Sequence, residues 1–148
     1  YPQRAIRTKD FLYIHNFAPD RWPMGDPMGL DDPNAEPPSW EDLRDNTRTA
    51  YPDLDASPTK AWMIYHRADE EVQDLYQIGF GKRPQEELFD LRVDPHYMKN
   101  VADDPAYEET RKQLAAQLME VLQDQDDPRI VESPCRFENA PYAGPIVD

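Results

Sequence analysis

Glu86-Glu87-Leu88-Phe89-Asp90-Leu91-Arg92-Val93-Asp94-Pro95-His96-Tyr97-Met98-Lys99-Asn100-Val101-Ala102-Asp103-Asp104 decides how the rest of the chain is read. It opens as a strand over 86–91. Glu87, Phe89 and Leu91 alternate with Leu88 and Asp90, a period-two pattern that suits a half-buried pleat. It closes in a turn, because proline brings no backbone N–H and Asp94-Pro95 cannot continue a ladder. A second acidic-proline step, Asp104-Pro105, then opens a helix. Tyr107, Leu114, Leu118, Val121 and Leu122 give that helix one apolar face, which the spacing carries to about Asp124. Glu108 and Glu109 stand in its first turn, where the helix dipole favours them.

The chain around this stretch has 148 residues, enough for one domain with a core, and its 16 prolines predict much loop and turn. Thirty acidic against 16 basic residues leave a net charge of −14. That excludes nucleic acid as a partner, since binding it needs a basic face, and any anion site has to be local. The single cysteine, Cys135, excludes an internal disulfide and a Cys-rich zinc site. No apolar run reaches the ~20 residues of a membrane span. The start at Tyr1-Pro2-Gln3, already in strand-like sequence, reads as part of a longer protein.

Outward from the centre, Arg4–Thr8 and Phe11–Phe17 read as two strands about a turn at Lys9-Asp10. In the second, both faces are largely apolar, which predicts cover on both sides. His15 and Asn16 are the polar exceptions at its end. From 18 to 38 the periodicity stops. Six prolines surround Trp22, Met24, Met28 and Leu30, which predicts a long loop packed on something, including something outside this chain. Asp26, Asp31 and Asp32 lack the spacing of a calcium loop.

Ser39 is an N-cap signal for a short helix carrying Trp40, Leu43 and Thr47. Ser57-Pro58 starts another, with a stripe of Ala61, Trp62 and Tyr65. Val72, Leu75 and Tyr76 continue at helical spacing, either as the same helix to about Ile78 or as a second one after a break near Asp69. Gly79-Phe80-Gly81-Lys82 lacks phosphate-loop spacing and reads as a helix C-terminus. The segment 126–148 is predicted to be an irregular tail. Strands and helices together predict an α+β fold in one unit, 1–148.

No catalytic centre is legible. Serine or cysteine with a recognisable base is missing, and His15, His66 and His96 stand far apart. The order Glu87-Leu88-Phe89-Asp90-Leu91, Asp94-Pro95, Asn100-Val101-Ala102, Asp104-Pro105 nonetheless resembles the C-terminal subdomain of the sulfatase family. Arg4-Ala5-Ile6-Arg7-Thr8 followed by Phe11-Leu12-Tyr13-Ile14-His15-Asn16 is similar to the hairpin that begins that subdomain. The Tyr1-Pro2-x-Arg4 start, His15-Asn16 and Gly81-Lys82-Arg83-Pro84 resemble bacterial relatives of the heparan N-sulfatases.

The resemblance implies a small antiparallel sheet, made of the first hairpin and the strand near 86–91, packed against the long helix, within an alkaline-phosphatase-like architecture whose catalytic N-terminal α/β domain lies outside this chain. Formylglycine, formed in a C/S-x-P-S/T-R motif, and calcium would belong there. Ser133-Pro134-Cys135-Arg136 has similar letters in the wrong order, so no catalytic or metal residue is assigned. The resemblance further implies docking on that catalytic domain, loops lent to a cleft for a sulfated saccharide, and a periplasmic or secreted setting. On that basis Arg4, Arg7, His15, Asn16 and Trp22 are the candidate substrate contacts. The alternatives are a phosphoesterase or phosphonate hydrolase of the same superfamily, and a free-standing acidic protein-interaction module.

Overall fold

The computed structural model describes residues 1–138, and backbone contacts group them into two compact units. One is built from Gln3–Phe17 and the chain from Glu86 onward; the other is Ala18–Gln85 with Tyr1–Pro2.

The first unit holds a three-stranded antiparallel sheet in the order β1 (Gln3–Arg7), β2 (Phe11–Asn16), β3 (Glu86–Asp90). Its bounds fall within a residue of those expected. The Thr8 hydroxyl closes the hairpin by accepting the N–H groups of Asp10 and Phe11. Register places Ile6 opposite Tyr13 and Tyr13 opposite Leu88, so the three share one face. The helix α4 (Glu108–Asp124) supplies Leu114, Leu118 and Leu122 to the core they form with Val101 and Ala102. Each of those leucines contributes about 1.5–3 kcal/mol by leaving water. Val121, expected on the same face, is exposed instead.

Four polar side chains of 86–104, those of Asp90, Asp94, Asn100 and Asp104, bond to backbone. Asp90 is buried and accepts the Arg92 N–H, the Arg92 guanidinium and the Tyr107 hydroxyl. Asp94 accepts the N–H groups of Met98 and Lys99. Asn100 Oδ1 accepts from Leu88 and Ala102, and its amide donates to the Glu86 carbonyl. Asp104 caps a 3₁₀ turn at Pro105–Tyr107 that leads into α4. The two Asp-Pro steps are therefore architectural: each aspartate satisfies donors of the turn that its proline starts. In the tail, Asp127 caps a short helix, α5 (Pro128–Val131), and a 3₁₀ turn follows at Arg136–Glu138. The remainder of the expected irregular tail, 139–148, lies outside the described residues.

The second unit is helical. Here α1 (Trp40–Asp45) is capped by Ser39, and α2 (Pro58–Tyr65) is capped by Ser57 with Pro58 in the first turn. α2 and α3 (Glu70–Phe80) are separate helices, broken before Asp69. Tyr51, Ile64, Tyr76, Phe80, Leu43 and Leu30 form its core.

The expected stripe on α2 is corrected. Trp62 and Tyr65 are each 43% exposed, and the buried residues are Ala61, Ile64 and Lys60. Lys60 is 1% exposed, and its ammonium donates to the carbonyls of Thr47, Tyr51 and Leu54 at 3.4, 3.2 and 2.9 Å. A charged side chain has taken an inward position because the turns after α1 present acceptors there. Burial lowers its pKa. Leu75 is likewise exposed rather than part of the α3 stripe.

The 18–38 loop has no helix or strand, as expected. It packs on this unit's own core through Trp22, Met24 and Leu30. Two backbone bonds tie it down, Tyr51 N–H to the Asp26 carbonyl at 2.7 Å and Asp53 N–H to that of Met24 at 3.1 Å. Gly25 between them has φ +85°, and a Cβ there would meet Pro52 at 2.7 Å. Asp26 and Asp32 accept the N–H groups two residues on, as turn residues do.

Candidate functional site

The hairpin distributes its four candidate residues over two faces. Arg4 stands opposite His15 and Gln3 opposite Asn16, so Arg4 and His15 share the α4 side of the sheet. Arg7 and Asn16 point to the other side, separated along it by about 13 Å. Arg4 is committed to the protein. Its Nε and Nη2 donate to Asp127 at 2.7 and 3.1 Å, a forked pair, and Nη1 donates to the Gln3 carbonyl. Asp127 feels burial, which raises its pKa, but the hydrogen bonds from Arg4 and from the Arg129 N–H outweigh it, and the net shift is down.

His15 packs edge-on against Phe17 with ring centroids 4.7 Å apart. Burial lowers its pKa and the nearby Glu86 carboxylate opposes that. Asn16 is fully buried and its amide donates to Glu87 at 3.3 Å. Arg7 is exposed. Arg4 thus pairs with the cap of α5, and His15 and Asn16 have packing and bonding contacts within the hairpin and sheet.

Trp22 has a different setting. It lines a cavity of about 430 Å³ in the helical unit, whose other walls include Leu30, Tyr51, Arg67, Tyr76 and Gln77. The Trp22 ring meets Tyr51 edge-on at 6.3 Å, and Lys82 Nζ lies 5.0 Å from the ring's centroid. The Tyr51 and Tyr76 hydroxyls are 2.8 Å apart, and Phe80 packs on both rings. Burial, first of all, raises the pKa of each phenol, and the bond to Tyr76 raises that of Tyr51 further. Both are neutral over the physiological range. Arg67 donates to the carbonyls of Ile64 and Ala35, while its Nε is buried without a partner. Gln73 and Asp31 also line the cavity.

Sequence reading missed Arg67, Gln73, Tyr76 and Gln77 as site residues. One signal was available: 73, 76 and 77 lie on one face of α3 at i, i+3, i+4, so two amides accompany an aromatic ring. Chemically the cavity offers hydrogen-bond donors, amides and an aromatic wall. The residues do not fit the formylglycine and calcium of the sulfatase machinery. Cys135 is a free, half-buried thiol followed by Arg136, and among the described residues no three His, Cys, Asp or Glu converge as a metal site would require.

No family model matches this chain, and no solved structure matches it. It is similar to the ulvan-active sulfatase of Formosa agariphila, 30% identical over 116 residues. The match takes in 75% of this chain and 15% of that protein's length. It supports a relation to the sulfatase family through a small part of the relative. Among the described residues, no helix is long and apolar enough to cross a membrane.

Proposed function

We propose that this chain is the C-terminal, non-catalytic part of a hydrolase that releases sulfate, as ester or N-sulfate, from a glycan. The observation that carries the reading is the 116-residue similarity to a sulfatase. The sheet-and-helix unit, with its Asp-Pro turns and Arg4–Asp127 pair, serves in this reading as a scaffold. The Trp22 cavity is the part that meets saccharide. The alkaline-phosphatase-like architecture, the formylglycine and the calcium belong to a catalytic domain on which this chain docks. The N-sulfatase resemblance of Gly81-Lys82-Arg83-Pro84 and His15-Asn16 makes an N-sulfated amino sugar a substrate to include in trials.

The complete gene product containing these residues is expected to release sulfate from an aryl sulfate, and the 148-residue chain alone to release none. Turnover by the chain alone would overturn the non-catalytic role. A complete product that releases phosphate but not sulfate would move the assignment to a phosphoesterase.

A further inference from the structure

We propose that Lys60 is a catch: its ammonium holds the turn at 47–54 in a strained form, and that turn straps the 18–38 loop into the wall of the Trp22 cavity. The device is internal to the helical unit and does not depend on the proposed function.

The strain lies in the backbone. Ala50 and Tyr51 are consecutive residues with φ of +45° and +46°, a left-handed conformation that glycine takes freely and that other residues seldom adopt, least of all in pairs. Both are buried. Such a conformation persists only where its surroundings over-determine it. Lys60 supplies that constraint. An ammonium has three donors, and here they meet three carbonyls of one turn, those of Thr47, Tyr51 and Leu54. The side chain rises from α2, so the turn is fixed to a helix.

The strap is the other side of the same turn. While its carbonyls face Lys60, its N–H groups at Tyr51 and Asp53 donate to the carbonyls of Asp26 and Met24 in the loop. Pro52, between them, lies against Gly25, where a Cβ has no room. The loop so held contributes Trp22, Leu30, Asp31 and Pro33 to the cavity, and the turn contributes Tyr51. A return of Ala50 and Tyr51 to negative φ would rotate the peptide groups beside them. The bonds of Tyr51 to Lys60 and to Asp26 would then be lost together, and the cavity wall with them.

Amide hydrogen exchange of the complete chain tests this. Lys60→Met keeps the length of the side chain and removes its charge. In that variant the amides of Tyr51, Asp53 and Leu30 should exchange at least about tenfold faster, while those of Tyr76 and Phe80 in α3 stay within about twofold. Ala50→Gly, which accepts the positive φ, should shrink the effect of Lys60→Met when the two are combined. Unchanged exchange at Tyr51 and Asp53 in Lys60→Met would overturn the catch. Equal acceleration in α3 would mean a loss of stability throughout the unit and would overturn the strap. An undiminished effect in the Ala50→Gly background would overturn the strain. Should Lys60→Met not fold, the unaltered chain in low urea decides. There the three amides should open together at less urea than α3 requires, and opening only along with α3 would overturn the device.

Discussion

Asp90 shows how a motif residue can be essential without touching a substrate. Its carboxylate is buried and held by Arg92 and Tyr107, and the hydrogen bond from the Arg92 guanidinium leads the forces that draw its pKa down to about 2. A carboxyl depressed on folding contributes stability above its unfolded pKa, near 3.9, and loses it as the pH falls through the folded value. Urea unfolding between pH 5 and pH 2 should therefore show a fall in stability that is shallower in Asp90→Asn. At neutral pH that variant should lose about 1–3 kcal/mol, toward the lower end because the Arg92 side chain is 54% exposed and screened by solvent. An unchanged midpoint would show the pair to be ornamental. Arg4 offers a second residue-scale lesson: an arginine at a strand start reads as an anion contact until its partner, 123 positions away, is known.

Among the elements, the end of α3 has two glycines, Gly79 inside it and Gly81 at its C-cap, whose substitution should act with opposite sign. A Cβ on Gly81, just past the helix, would lie 2.6 Å from the Gln77 carbonyl oxygen. Its φ of −66° is unstrained, so the obstacle is steric. Gly81→Ala should cost about 1–3 kcal/mol, measured by thermal unfolding. Gly79, inside the helix, has nothing within 4 Å of its Cβ position, and Gly79→Ala should gain up to about 1 kcal/mol from helix propensity. Equal effects at the two positions would refute the crowding argument. The caps at Ser39, Ser57 and Asp104 were legible in the sequence because a cap is a local device: the hydroxyl or carboxylate bonds an N–H two or three residues on. The face of α2 was not legible. Spacing assigns lysine to water and tryptophan to the core, and only the carbonyls of 47, 51 and 54 reverse that order.

For the molecule as a whole, the sheet is discontinuous in sequence. β2 ends at Asn16, its partner β3 begins at Glu86, and the helical unit occupies the interval. Alternation showed three strands, but the pairing of first hairpin and later strand came from family resemblance, since periodicity says nothing about which strands meet. The candidate cavity was legible only at Trp22. Arg67, Gln73 and Tyr76 become neighbours through the packing of α3 and the turn before it, which no local pattern encodes.

The buried Lys60 gives the helical unit a chemical clock. The chain's other lysines, at 9, 82, 99 and 112, are exposed, so an amine-acylating reagent should mark those four at once. Lys60 should be marked only as fast as its pocket of carbonyls opens. Peptide mass spectrometry over a labelling time course would read that opening without any mutation. Acylation of Lys60 at the pace of its four counterparts would mean that the ammonium is not sealed in.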